Sequence, residues 1–261
     1  MLDEDIKVMV ELIDFRNFKI PENLKILTIT DPPYNVGFKY NSYKDKMPHK
    51  DYIKMLSKIQ KPCIIIQYPE ETFNYVLPAM NKVPNKVLFW CYNSHLPRAV
   101  RMISFFGIEP NLSNYKIAYR NPNDKRVKKL IENGSLGTSL KEWFVIEQVK
   151  NVSKEYQGYA NQIPEEVIRI ILSVCKDYDF DTIFDPFCGS GTTLKVALEH
   201  GYSVIGTDID SKAINITKDR LDREIYLSLF KYGKDSKKST TTTLKDRCLS
   251  REAQGQQFAY N

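Results

Sequence analysis

The sequence predicts an α/β protein with a doubly wound, mostly parallel sheet, and three observations carry that prediction. Short apolar runs rich in β-formers alternate with helical patterns in both halves of the chain. Two of these runs end in turns dense in Asp, Pro and Gly, DPPY at 31–34 and DPFCGSGTT at 185–193. Hydrophobic residues make up 42% of the 261, as in an ordinary globular chain.

Residues 24–30 (LKILTIT) read as a buried strand stopped by Asp31-Pro32-Pro33. Tyr52, Met55, Leu56 and Ile59 recur at helical spacing, and Lys61-Pro62 closes that segment. Residues 63–67 (CIIIQ) form a continuous apolar run suited to a central parallel strand. Phe73, Leu77 and Met80 suggest a helix that Pro78 limits. Residues 87–92 are strand-like, and 98–105 are read as helical. In the C-terminal half, Pro164 is placed at the first position of a helix, with Glu165 and Glu166 in its first turn. Val167, Ile171 and Val174 form its apolar stripe. A strand at 182–184, a helix at 192–200 stopped by Gly201, and a strand at 203–207 follow. After Tyr232 the chain turns polar, with Thr240 to Thr243 in a row, and disorder is expected there.

The formal charge of +6 suits a basic face for a polyanion and equally suits a solvated surface. Five scattered cysteines, Cys63, Cys91, Cys175, Cys188 and Cys248, form no CxxC pair, against a zinc site or a disulfide framework. No metal is therefore expected. The opening residues are acidic and mixed, unlike a signal peptide. No apolar run approaches the roughly 20 residues that span a bilayer. A cytosolic protein, or a viral one acting in cytosol, is expected.

The DPFCGSGTT segment joins a strand to a helix through two glycines that permit a tight turn and close backbone approach. The next strand ends at Asp208, whose carboxylate suits the ribose hydroxyls of an adenosine cofactor. The third glycine of a dinucleotide motif would fall at Leu194, and no Gly-Lys-Ser/Thr of a P-loop follows. A cofactor with an adenosine but no pyrophosphate fits best.

Asp31-Pro32-Pro33-Tyr34 follows the carboxyl end of a strand, where open α/β sheets place ligands. An aromatic amine is a poor nucleophile because its lone pair is delocalised into the ring. A carboxylate and a backbone carbonyl accepting from the NH2 group would favour a tetrahedral nitrogen. Tyr34 would offer a face for an extruded base. Taken alone, such a Pro-Pro turn is common in loops. Its co-occurrence with the glycine motif favours chemistry.

Together, DPPY followed by DPFCGSGTT resembles the β-class amino-methyltransferases of DNA, in which the catalytic half precedes the cofactor half. The resemblance covers most of residues 20–225. It implies a seven-stranded, Rossmann-like methyltransferase fold, S-adenosyl-L-methionine as methyl donor and double-stranded DNA as partner. The expected division is a catalytic half at 1–106, a recognition region at 107–160, a cofactor half at 161–232 and a tail at 233–261. The target base would be held by Asp31, Pro32, Pro33 and Tyr34. The cofactor would be lined by Asp185, Pro186, Phe187, Cys188, Gly189, Ser190, Gly191, Thr192, Thr193 and Asp208. The family's His-Pro-x-Gln-x-Pro element is replaced by Tyr159-Ala160-Asn161-Gln162-Ile163-Pro164, which keeps Gln162 and Pro164.

The region 107–160 is locally basic, and Arg120, Lys125, Arg126, Lys128 and Lys129 are its candidate DNA contacts. Asp at the first DPPY position is typical of adenine N6 enzymes, with cytosine N4 the alternative. Cytosine C5 chemistry needs a thiolate, and Cys63 is read instead as a core residue. An RNA or protein-glutamine substrate, or a non-catalytic DNA-binding regulator, are the remaining rivals. A cognate restriction endonuclease and the choice of monomer or homodimer stay open.

Overall fold

The computed structural model describes residues 6–40, 44–93 and 97–235, with side chains to Tyr226. Among the described residues ten strands appear: β1 (Val8–Leu12), β2 (Ile26–Thr30), β3 (Cys63–Gln67), β4 (Lys86–Cys91), β5 (Val100–Phe106), β6 (Lys116–Ile117), β7 (Thr138–Ser139), β8 (Trp143–Val145), β9 (Thr182–Asp185) and β10 (Ser203–Asp208). Eight of them make one sheet in the order β1-β10-β9-β2-β3-β5-β4-β8. From β1 to β3 every pairing is parallel, β5 runs antiparallel to both neighbours, and β8 is parallel to β4. The sheet is thus mostly parallel as expected, with one strand more than seven because β8 adds to the β4 edge.

Helices cover both faces. α1 (His49–Leu56) and the helical segment 69–80 lie on one, and α5 (Glu165–Val174), α6 (Thr192–Glu199) and α7 (Ser211–Asp235) on the other. Strand β3 shows why the run CIIIQ has no polar alternation. Cys63 and Ile65 join the α1 core, Ile64 and Ile66 join the α5–α6 core, and all four are buried. The segment 69–80 comprises α2 (Pro69–Glu71), a π turn at Thr72–Val76 and α3 (Leu77–Met80). The π turn absorbs Pro78, which stands in the first turn of α3, where a missing N–H costs least.

Three expectations are corrected. Residues 98–105 are not helical: V-R-M-I-S-F-F forms β5, the inner antiparallel strand, because a run buried on both faces has no helical periodicity to distinguish it. Pro164 is the N-cap residue, with extended ψ of 137°, so α5 starts at Glu165. Edge strand β1 and the long α7 lie outside the elements the pattern suggested, and β1 pairs with β10. The polar tail beyond Asp235 lies outside the described residues.

Region 107–160 is partly core. Ile108, Leu140 and Phe144 are buried in the main cluster, and Tyr115 donates to Glu166 Oε1 at 2.5 Å. What stands clear is the excursion between the paired strands β6 and β7, which carries α4 (Lys125–Glu132) with no buried residue. Asp124 caps α4, accepting from the Arg126 and Val127 amides. Gly137 closes the excursion at φ 150°, where a Cβ would sit 2.1 Å from the Ile117 carbonyl oxygen.

Candidate active site

The two sequence motifs meet at the carboxyl edge of the sheet because β2 and β9 are parallel neighbours. One cavity is lined by Asp31 and Pro33 from the first motif, by Asp185, Phe187, Cys188, Gly189, Ser190, Thr192 and Thr193 from the second, and by Asp208. Tyr40 and residues 159–163 complete its wall. Pro32, Tyr34, Pro164, Pro186 and Gly191 do not line it. Pro186 belongs to an adjoining apolar cavity, formed with Phe15, Met47, Met55 and Ile209, that shares Pro33, Phe187 and Asp208 with the first.

Asp31 is enclosed. Its Oδ1 accepts from the Tyr34 hydroxyl at 2.5 Å, and its Oδ2 lies 3.3 Å from Arg101 Nη1. Burial raises its pKa to about 6, while Arg101 and the Tyr34 hydrogen bond pull the other way. The prolines are held from behind by two residues that sequence reasoning passed over. Tyr52 donates its hydroxyl to the Pro33 carbonyl, and Gln67 Nε2 approaches the Pro32 carbonyl at 3.4 Å and Tyr52 Oη at 2.9 Å. The Pro33 carbonyl is therefore engaged, whereas that of Pro32 makes only a long contact. Tyr34 is packed edge-on to Tyr68, ring centroids 5.0 Å apart, with the Arg101 guanidinium 5.3 Å from its ring.

The turn needs its glycines for positive φ and for close approach by neighbouring side chains. Gly189 has φ 51° and faces Tyr159, whose ring would lie 3.3 Å from an added Cβ. At Gly191, φ 73°, a Cβ would fall 2.8 Å from Thr217 Oγ1. Asp208 fixes the turn, accepting from the Gly189 amide with Oδ2 and from the Asp210 amide with Oδ1, both at 2.9 Å. Arg220, missed in the sequence, braces it from α7 through the Ser190 carbonyl and Thr192 Oγ1. Asp185 accepts from Thr30 Oγ1 at 2.8 Å and from the Phe187 amide at 3.1 Å, and burial raises its pKa to about 7. Burial also raises Asp208. Three carboxyl groups around one cavity favour a cationic occupant, and the Cβ-free cradle beside Asp208 fits an adenosine-bearing sulfonium.

Gln162 lines the cavity, but its amide is spent on its own loop, accepting from the Gln157 amide and donating to the Glu155 carbonyl. Arg120, Lys125, Arg126, Lys128 and Lys129 are all exposed, on α4 or just before it. Cys63 is fully buried against Met80, its thiol pushed up to about 12 by burial, as suits a core residue and not a nucleophile.

Comparison with known proteins converges on one group. A DNA methylase family model matches residues 64–219. The type II methyltransferase M.HpaI of Haemophilus parainfluenzae is 26% identical over 78% of this chain and 70% of its own length. The DNA adenine methyltransferase YhdJ of Escherichia coli K12 is 23% identical over 89% and 88%. The solved PvuII cytosine-N4-specific DNA methyltransferase superposes with a TM-score of 0.55 at 12% identity, covering 95% of this chain and 93% of that one. With the family model spanning more than half its length and both motifs opening onto one cavity, the chain belongs to the N6/N4 DNA methylase family, whose methyl donor is S-adenosylmethionine.

Proposed function

We propose that the chain is a site-specific DNA methyltransferase acting on adenine N6. The observation that carries the reading is the placement of Asp31 in the same cavity as the glycine turn and Asp208. A carboxylate acceptor and a methyl-donor cradle that share one space can bring an amine and a methyl group into line. Asp as the first residue of DPPY follows the pattern of adenine enzymes, and the relative YhdJ is a DNA adenine methyltransferase.

S-adenosylmethionine supplies, when bound, a methyl group on a cationic sulfur. Asp208 is suited to its ribose hydroxyls, the Gly189 turn to its methionine side, and the apolar cavity around Phe15 and Phe187 to its flat adenine ring. The target base must leave the duplex, since its amino group is unreachable when paired. Asp31 Oδ1 then exchanges the Tyr34 hydroxyl for the amine, and the Pro32 carbonyl takes the second N–H. Orientation supplies most of the acceleration. The exposed cations of α4 and Arg120 neutralise phosphates.

The test is expression in a cell that lacks DNA methylation, followed by mass spectrometry and sequencing of modified bases. N6-methyladenine at a fixed short sequence is expected. N4-methylcytosine would correct the base alone, and absence of both products from DNA would overturn the reading.

A further inference from the structure

We propose that Arg101 is a positioning residue for Asp31: a fixed cation that occupies one carboxylate oxygen so that the other faces the target amine. The inference rests on the proposed amine chemistry but not on which base carries the amine. It comes from the sheet topology. Strands β2, β3 and β4 deliver their carboxyl ends, with Tyr34, Tyr68 and Trp90, to one edge. Because β5 is antiparallel, it delivers its first residues to that same edge. Arg101 is paired in register with Trp90 and is 2% exposed.

A buried guanidinium needs a reason, since desolvating a charge is costly. Here it lies 5.0 Å from the Trp90 ring and 5.3 Å from those of Tyr34 and Tyr68, a cage of π faces that suits a cation. The cage is itself anchored. Trp90 donates to the Ile146 carbonyl at 2.7 Å, and Tyr68 carries Arg98 on its ring, with Arg98 bonded to Glu71 at 2.9 Å. Arg101 Nε has no hydrogen-bond partner among the described residues, and besides Asp31 the guanidinium is hydrogen-bonded to the neutral Tyr92 hydroxyl. The carboxylate it meets is Asp31.

The two partners of Asp31 differ in setting. Arg101 is locked between strands, whereas Tyr34 sits in the loop after β2, partly exposed. An arriving amine therefore displaces the Tyr34 hydroxyl and leaves the arginine in place. Arg101 also opposes the burial of Asp31 and the repulsion from Asp185. The other ionisable side chains that feel Asp31 are Tyr40 and Tyr52, both neutral.

The experiment follows single-turnover methyl transfer to methylation-free genomic DNA across pH, using the full chain. Wild type should lose rate on the acid side with a midpoint near the Asp31 value of about 6. Arg101→Gln should move that midpoint up by about one unit or more and lower the plateau by about a hundredfold, with unchanged affinity for S-adenosylmethionine. Arg101→Lys should restore most of the midpoint but not the plateau, because an ammonium lacks the rigid fork. An Arg101→Gln protein with the wild-type midpoint and plateau would overturn the inference. Should that variant fail to fold, Asp31→Asn is compared with the Asp31→Asn, Arg101→Gln double variant, in which no unpaired charge is buried. Equal residual rates support action through Asp31, and a further large loss in the double variant overturns it. A wild type that methylates neither amine points instead to failure of the functional reading.

Discussion

At the scale of single residues, the carboxyl groups of the cavity are poised by opposing effects. Burial holds Asp185 near 7, well above its unfolded value of 3.8, so the site is partly protonated around neutrality. A cation entering the cavity stabilises the ionised form and expels that proton. S-adenosylmethionine should therefore bind roughly tenfold more weakly one unit below that pKa than well above it. Titration calorimetry in buffers of different ionisation enthalpy measures the proton release, and Asp185→Asn should weaken the pH dependence around 7, leaving the part owed to Asp31 and Asp208. Asp208 has a second duty that the sequence does not reveal, because it also ties the Gly189 and Asp210 amides. Asp208→Asn should cost about ten- to a hundredfold in cofactor affinity. Asp208→Ala should cost more and also lower the melting temperature, since the turn loses its tie. Asp31→Ala should remove about two to three orders of magnitude in transfer rate while cofactor binding, measured by the same calorimetry, stays intact.

At the scale of elements, α4 and β5 show how context assigns meaning to a local pattern. The basic run K-R-V-K-K forms a helix with no buried residue, so its charges are free for a polyanion. Replacing Lys125, Arg126, Lys128 and Lys129 with glutamine should leave the melting temperature unchanged. The slope of log affinity against log salt should fall by about 0.9 for each phosphate that is no longer neutralised. Equal slopes for the variant and wild type would place the DNA elsewhere. Gly137→Ala should unseat this excursion without touching the main sheet, because only a glycine fits against the Ile117 carbonyl. Weaker DNA binding with retained cofactor affinity is the expected signature. Strand β5 teaches the converse lesson. A lone arginine in V-R-M-I-S-F-F is a visible anomaly, but its partner is 70 residues away in sequence and becomes its neighbour only through antiparallel pairing.

For the whole molecule, three helices of one layer are joined through Glu165. Its carboxylate accepts from Arg169 on α5, Lys195 on α6 and Arg220 on α7, each within 2.8 Å. Although burial opposes ionisation, these cations hold its pKa down to about 2, below an unfolded value of 4.5. A lowered carboxylate pKa means stability that is present above 4.5 and is lost as pH falls from there toward 2. Glu165→Gln should lower unfolding free energy by roughly 3 kcal/mol near neutrality and flatten the acid limb of a denaturation series. Because Arg220 also braces the Ser190 carbonyl, the same variant should loosen the cofactor turn. The sequence by itself determined the fold class and the acidic, proline and glycine turns. Those signals reside in adjacent residues, where strand ends, forbidden amides and positive φ angles leave a local mark. Only the tertiary structure decided that the two turns share a cavity, that Tyr52 and Gln67 hold the prolines, and that Arg101 grips Asp31. Each depends on which strands are neighbours and in which direction they run, and burial and pairing between distant residues leave no periodicity to read.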